Sequence, residues 1–238
     1  MEYSKFAKYY DILYVNKNYE NEVEFLKNFL SINDNILDVG IGTGNHAQIL
    51  ENAGYKIDGI DQSEDMLKIA RKKIKGDLYL GNLLNLKINR NYDVIISMFA
   101  VLNHLQNTSE LEKALKGFNN LLNEGGKIII DLHNPQSSGE KIDNFDGIKR
   151  KMKWHFDKDT MQEKSIITYI LDNEEYLTEH RFKIFTIDEI IYCIKKCGFE
   201  ILGVYENYNI NVIGNDLSKN LQFVAKKCKN VKNIWKKQ

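Results

Sequence analysis

Leu37-Asp38-Val39-Gly40-Ile41-Gly42-Thr43-Gly44-Asn45 is the stretch on which the reading of this chain turns. A short apolar run over 35–39 ends in three glycines at alternate positions, and a helix-forming segment, 47–52, follows. Glycines at such a place let the backbone turn sharply and let a ligand approach it closely. Dinucleotide sites favour Gly-x-Gly-x-x-Gly, with pyrophosphate at the helix N-terminus. In this chain the third glycine comes one residue early, and Asp38 stands two residues before the first. That carboxylate disfavours a pyrophosphate and favours a ligand with a cationic amino-acid end.

Outward from this loop the pattern alternates. A second strand, 55–60, delivers Asp61 to its C-terminal end, 17 residues after Gly44. A carboxylate there can accept hydrogen bonds from both hydroxyls of a ribose. Ser63 is a good N-cap, with Glu64 and Asp65 at the positive end of a helix reaching about residue 74. Strands follow at 79–81, 92–98 and 127–132, with a helix over 110–122 before Gly125-Gly126. Strands alternating with helices at this pitch give an α/β fold with a mostly parallel sheet buried on both faces. Beyond it, 149–156, 164–171 and 176–185 are strand-like with no helix between them, which predicts an antiparallel insertion. Thr186-Ile187-Asp188-Glu189 opens the last helix with a capping-box pattern, and 199–205 and 221–225 close the sheet. The expectation is an α/β fold: a Rossmann-like, doubly wound, seven-stranded sheet with a small antiparallel β insertion. Its divisions are a helical lid over 1–34, a core over 35–146 and 186–228, the insertion over 147–185 and a basic tail over 229–238.

Composition excludes several classes. The 238 residues carry 33 Lys+Arg against 33 Asp+Glu. The last 13 residues hold six Lys and no acid, so the rest of the chain is acidic by six charges, a poor match for a phosphate backbone. No apolar run approaches the roughly 20 residues that span a bilayer. The N-terminus lacks a signal pattern, and three cysteines, Cys193, Cys197 and Cys228, suit reduced thiols in a cytoplasm. Cys193 and Cys197 lie four apart on a helix with no further ligands nearby, so no metal is expected.

The loop, Asp61 and the alternation together resemble the class I S-adenosylmethionine-dependent methyltransferases. The matching segments are Leu37–Gly44, Gly59-Ile60-Asp61-Gln62-Ser63-Glu64-Asp65-Met66, Asp93–Met98 and Gly125-Gly126, over most of 35–132. The resemblance implies S-adenosyl-L-methionine as cofactor. It implies that Gly40, Gly42 and Gly44 pack against the methionine part and that Asp38 helps hold the amino group. Asp61 would hold the ribose, with Gln62, Ser63 and Met66 toward the adenine and Ser97 and Met98 at the fourth strand's end. Family members often place an acid after the third strand's glycine. This chain has Gly81-Asn82 there, so Asn82 and the backbone near Leu83 are expected to read the adenine edge.

Tyr9, Tyr10 and Tyr14, the continuation Phe99–Leu105 and the insertion resemble the enzymes that dimethylate amino groups of nucleotide-linked sugars. In that group the N-terminal tyrosines form a lid, so Tyr14 is expected at the cofactor and the acceptor; packing of a helix face is the alternative. His133, at the fifth strand's end, is the first candidate for a general base, followed by His104 and Tyr14. His155, His180, Trp154 and Phe156 belong to the insertion and are candidates for lining the acceptor pocket. The fourth strand lacks the Asp/Asn-Pro-Pro-Tyr/Phe of nucleobase-amine enzymes and the acid of metal-dependent ones, so neither nucleic acid nor metal is expected. The expected partner is a small-molecule acceptor, most simply a sugar amine, with a homodimer through an exposed strand edge as a possibility. Competing readings are O-methylation of a sugar or phosphoryl-type group, a nicotinamide-dependent oxidoreductase, and a cofactor-binding module without turnover.

Overall fold

The computed structural model describes residues 7–145, 147–171 and 174–228; the tail over 229–238 and the first six residues of the expected lid lie outside them. Two short helices, α1 (Ala7–Leu13) and α2 (Tyr19–Lys27), precede the sheet. The parallel part is built by β1 (Asn35–Val39), β2 (Lys56–Asp61), β3 (Leu78–Leu80), β4 (Tyr92–Ser97) and β5 (Leu122–His133). Between them run α3 (Asn45–Asn52), α4 (Glu64–Ala70) and α5 (Thr108–Leu121). Then β6 (Gly139–Phe145), β7 (Ile148–Asp157), β8 (Gln162–Leu171) and β9 (Glu174–Lys183) form a separate antiparallel sheet in the order 6-7-8-9. The chain returns through α6 (Ile187–Lys196) and closes with β10 (Phe199–Glu206), β11 (Asn209–Ile213) and β12 (Asn220–Lys227).

The main sheet has the order 11-10-12-5-4-1-2-3. It is the expected doubly wound sheet with one strand more than seven. The extra strand, β11, is a five-residue edge piece exposed along its whole length, too weakly apolar to stand out in the sequence. The second sheet also begins earlier than residue 147, because polar β6 pairs along β7 from Gly139↔Trp154 to Phe145↔Ile148. Expected caps form: Ser63 Oγ accepts from the Met66 amide, and Thr186 and Glu189 exchange both bonds of a capping box.

Alternating helices bury both faces of the central strands. Val94, Ile95 and Ile96 of β4 and Ile128, Ile129 and Ile130 of β5 are fully buried. On one face α5 lays Leu111, Leu115 and Phe118 against the sheet with Ile190 and Ile194 of α6; on the other pack Val23 and Leu26 of α2 with Leu50 of α3. A third, smaller cluster joins Leu13 of α1 to Phe145, Ile148, Ile167 and Tyr169 of the antiparallel sheet. That cluster seats the second sheet and the N-terminal helix over the C-terminal edge of the parallel strands. Among the described residues, no helix is long and apolar enough to cross a membrane.

Phe118 is fully buried at the centre of the larger cluster. Phe118→Ala is expected to cost about 3–5 kcal/mol of stability, read as a fall in denaturant midpoint at constant slope.

Candidate functional site

A cavity of about 730 Å³ opens at the C-terminal tips of β1, β2, β4 and β5, under α1 and the antiparallel sheet. Its floor begins at the glycine loop. The Gly40 amide donates to the Ile60 carbonyl at 2.8 Å, across to β2. Gly40 has φ +83°, and a Cβ there would stand 2.5 Å from Val101 Cγ2, so no other residue fits. A Cβ on Gly42 would meet nothing within 4 Å, because Gly42 faces the cavity. Gly44 serves packing instead: its missing Cβ would meet the Ala70 Cβ at 3.3 Å, so it lets α3 approach α4.

Asp61 ties the floor together. One carboxylate oxygen accepts the Gly42 amide at 2.9 Å and the other accepts the Ser63 amide at 2.8 Å. Burial pushes its carboxyl up, against the pull of these backbone donors. Gln62, Met66 and Leu83 continue this wall. Asn82 does not line the cavity; its amide donates to Gln62 Oε1 at 3.4 Å, so it bears on the wall through Gln62. Asp38 also lies behind the lining, 2% exposed. Burial, with the charges of Asp61 and Asp131, pushes its carboxyl up to about 7 despite His46. Ser97 is fully buried, its hydroxyl donating to the Val39 carbonyl at 2.9 Å, which clips β4 to β1. Met98 reaches the cavity.

The far half is formed where β5 meets the second sheet. His133, at the tip of β5, lines the cavity, and its Nε2 stands 3.0 Å from Glu163 Oε2 of β8. Glu163 is 4% exposed and accepts Ser165 Oγ at 2.6 Å through its other oxygen. Burial would raise the Glu163 carboxyl, but the hydrogen bonds from His133 and Ser165 and the His133 charge hold it low overall. His104 sits across from it with its ring centroid 4.8 Å from that of Phe182. Burial, and secondarily His180, push His104 down to about 4, so it is neutral at pH 7. Tyr14 lines the cavity edge-on to Phe99 at 5.0 Å, and burial holds its hydroxyl above the usual phenol range against the Arg150 charge. Tyr10 joins it there, while Tyr9 packs on the third apolar cluster, against which Tyr14 also packs. Trp154 and His180 line the cavity; His155 and Phe156 do not.

Several lining residues have no counterpart in the sequence reading: Lys17, Glu22, Asp131, Glu163 and Tyr208. Asp131 accepts the Ala100 amide at 2.6 Å and the Tyr208 hydroxyl. It thereby holds Phe99 and Ala100, both at positive φ (68° and 58°) without being glycine. One signal was available: Asp131 and His133 alternate on one strand, as do Glu163, Ser165, Ile167 and Tyr169, so each set shares a face.

Comparisons with known proteins bear on the domain and the fold. A methyltransferase domain model matches residues 36–126. An uncharacterized protein of Methanocaldococcus jannaschii is 32% identical over 247 residues, spanning 96% of this chain and 90% of that one. A dTDP-3-amino-3,4,6-trideoxy-alpha-D-glucopyranose N,N-dimethyltransferase of Streptomyces venezuelae is 29% identical over 132 residues, 52% of this chain and 56% of its own length. The crystal structure of an S-adenosylmethionine-dependent methyltransferase from Clostridium acetobutylicum superposes with a TM-score of 0.82 at 23% identity, covering 95% of this chain and 99% of that one.

The buried Asp38 carboxyl has a stability consequence. Its folded value, about 7, lies above the ordinary 3.8. The folded state therefore binds the extra proton, and stability falls as pH rises between those values. Asp38→Asn is expected to flatten that fall, read from denaturant unfolding at a series of pH values; an unchanged slope would show that Asp38 is not the group responsible.

Proposed function

Because the chain belongs to the S-adenosylmethionine-dependent methyltransferases, we propose that it methylates the amino group of a small sugar-like acceptor, most simply a nucleotide-linked amino sugar. The observation that carries this reading is the His133–Glu163 pair in the far half of the cavity. It is supported by the likeness to the dTDP-amino-sugar dimethyltransferase. Membership of the family leaves the nicotinamide alternative without support.

The residues present suit the cofactor. Gly42 leaves open space where a side chain would stand. Asp61 has lone pairs left beyond its two backbone donors, enough to accept ribose hydroxyls. Met66, Leu83 and Ile60 offer an apolar slot for a base. When bound, the cofactor supplies a methyl group already activated by its sulfonium. The protein's own work is alignment, exclusion of water and removal of a proton.

An amine attacks through a free lone pair, so an ammonium acceptor must first lose a proton. His133 is the group for this. With its Nε2–H donated to Glu163, its Nδ1 lone pair is the proton acceptor, and the buried carboxylate stabilises the imidazolium that results. His104, neutral at pH 7, suits the wall of the acceptor pocket better than proton transfer. Tyr14, Tyr10 and Phe99 line the cavity, and their proposed part is to keep water from the reacting groups.

The test is methyl transfer from S-adenosylmethionine to a nucleotide-linked 3-amino sugar, to the free amino sugar and to the 3-hydroxy counterpart, read by mass spectrometry. Methylated amine from the first is expected. Methylation of the hydroxyl compound alone would replace this reading with O-methylation, and no transfer to any of the three would remove sugars as the acceptor class. In the active assay, His133→Asn is expected to lower kcat about 100-fold or more with cofactor affinity unchanged; a change under threefold would leave alignment as the main catalytic contribution.

A further inference from the structure

Charge is distributed unevenly around the part of the cavity beside the glycine loop. Glu22, Asp61 and Asp131 line it, and Asp38 lies behind it. Among the described residues the lining carries two lysines, Lys17 and Lys219. Lys219 belongs to the far end: its carbonyl accepts the Asn134 amide, and its neighbour Asn220 pairs with His133. Lys17 is therefore the ammonium that stands among the acids.

Lys17 is held from several sides. Its Nζ is paired with Glu22 of α2, and the side chain is only 12% exposed. The Nζ lies 4.6 Å from the Phe99 ring, 4.7 Å from the Tyr19 ring and 6.0 Å from the Tyr208 ring. Glu22 reaches on to His46 Nε2 at 2.6 Å, in the first turn of the helix that follows the glycines. Burial alone would raise the Glu22 carboxyl, yet His46 and Lys17 hold it below the usual range, so it stays ionised. Aromatic faces and one carboxylate fix the ammonium's position, and Glu22 engages only one of its three donors.

The cofactor's amino-acid end carries an ammonium and a carboxylate next to a sulfonium. The two cationic groups suit a pocket lined by acids. The carboxylate does not: among Glu22, Asp61 and Asp131 it would meet repulsion and burial together. It needs one cation, already desolvated and positioned.

We propose that Lys17 is the counter-charge for the α-carboxylate of the bound cofactor, with Glu22 and His46 as the residues that position it. The proposal rests on the methyltransferase reading and adds to it a recognition residue outside the glycine loop and outside the strand tips. Lys17 lies in the turn joining α1 to α2. Recognition of the carboxylate thus ties the N-terminal segment, with Tyr10 and Tyr14, to the cofactor.

Calorimetry with S-adenosylhomocysteine and with its decarboxylated analogue tests this. The wild-type protein is expected to bind S-adenosylhomocysteine about 10- to 100-fold more tightly, the usual worth of a charge-assisted contact. Lys17→Met should abolish that preference while changing the analogue's affinity less than about twofold, and Lys17→Arg should keep most of it. Equal weakening of both compounds by Lys17→Met, or equal affinities in the wild type, would overturn the proposal. Should Lys17→Met fail to fold, the double variant Lys17→Met with Glu22→Gln removes charge and counter-charge together and is read the same way; a retained preference there overturns it. If the folded wild type binds neither compound, the methyltransferase reading fails, and the Lys17 assignment falls with it.

Discussion

The hydrogen bond from the Gly42 amide to Asp61, 2.9 Å long, joins the loop after β1 to the tip of β2. The rest of the site depends on it. The same carboxylate accepts the Ser63 amide and so fixes the start of α4, which presents Met66 to the cavity. One half-buried acid thereby sets the glycine loop, the entry to a helix and the rim of the cavity. A carboxylate can do this while keeping lone pairs toward the open space, because each oxygen accepts more than one donor. A second acid, this one buried, acts similarly across the cavity. Asp131 holds the strained Phe99–Ala100 corner and the Tyr208 hydroxyl, and Phe99 in turn supports Tyr14 and Lys17.

The two halves of the cavity differ in character, and the difference follows from which elements build them. The parallel sheet contributes acids at its strand tips, where loops supply backbone donors that keep carboxylates tolerable. The antiparallel sheet contributes Met152, Trp154, Ile167, Tyr169 and Phe182, with Glu163 as its buried acid in the lining. In that drier surrounding a histidine without a carboxylate partner, His104, is driven to its neutral form. His133, by contrast, has the buried Glu163 carboxylate within hydrogen-bond distance.

Much of the architecture was legible because it rests on local rules. The alternation of apolar strands and capped helices, the turn-forming glycines and the Thr186 capping box each depend on residues within a few positions of one another, and each is present. Gly40, Gly42, Asp61, Gln62, Met66, Leu83 and Met98, which the resemblance placed at the cofactor, line the cavity. The edge strand β11 was not legible, since it is short and solvent-facing and buries no periodic apolar face. Nor was β6, whose polar residues acquire strand geometry from pairing with β7 rather than from their own pattern.

Partners far apart in the chain were hidden for a different reason. Glu163 lies 30 residues from His133, and Asp131 lies 77 from Tyr208. Periodicity can assign each to a face of its strand but cannot say which faces meet. The apolar cluster of Leu13, Phe145, Ile148, Ile167 and Tyr169 decides that, by seating the second sheet and α1 over the strand tips. The amino-acid order alone therefore determined the doubly wound sheet, its glycine loop and the carboxylate at the end of β2, because these follow from short-range backbone chemistry. Tertiary packing decided which histidine gains a buried carboxylate and which lysine stands among the acids, because burial and charge pairing are properties of assembled surfaces.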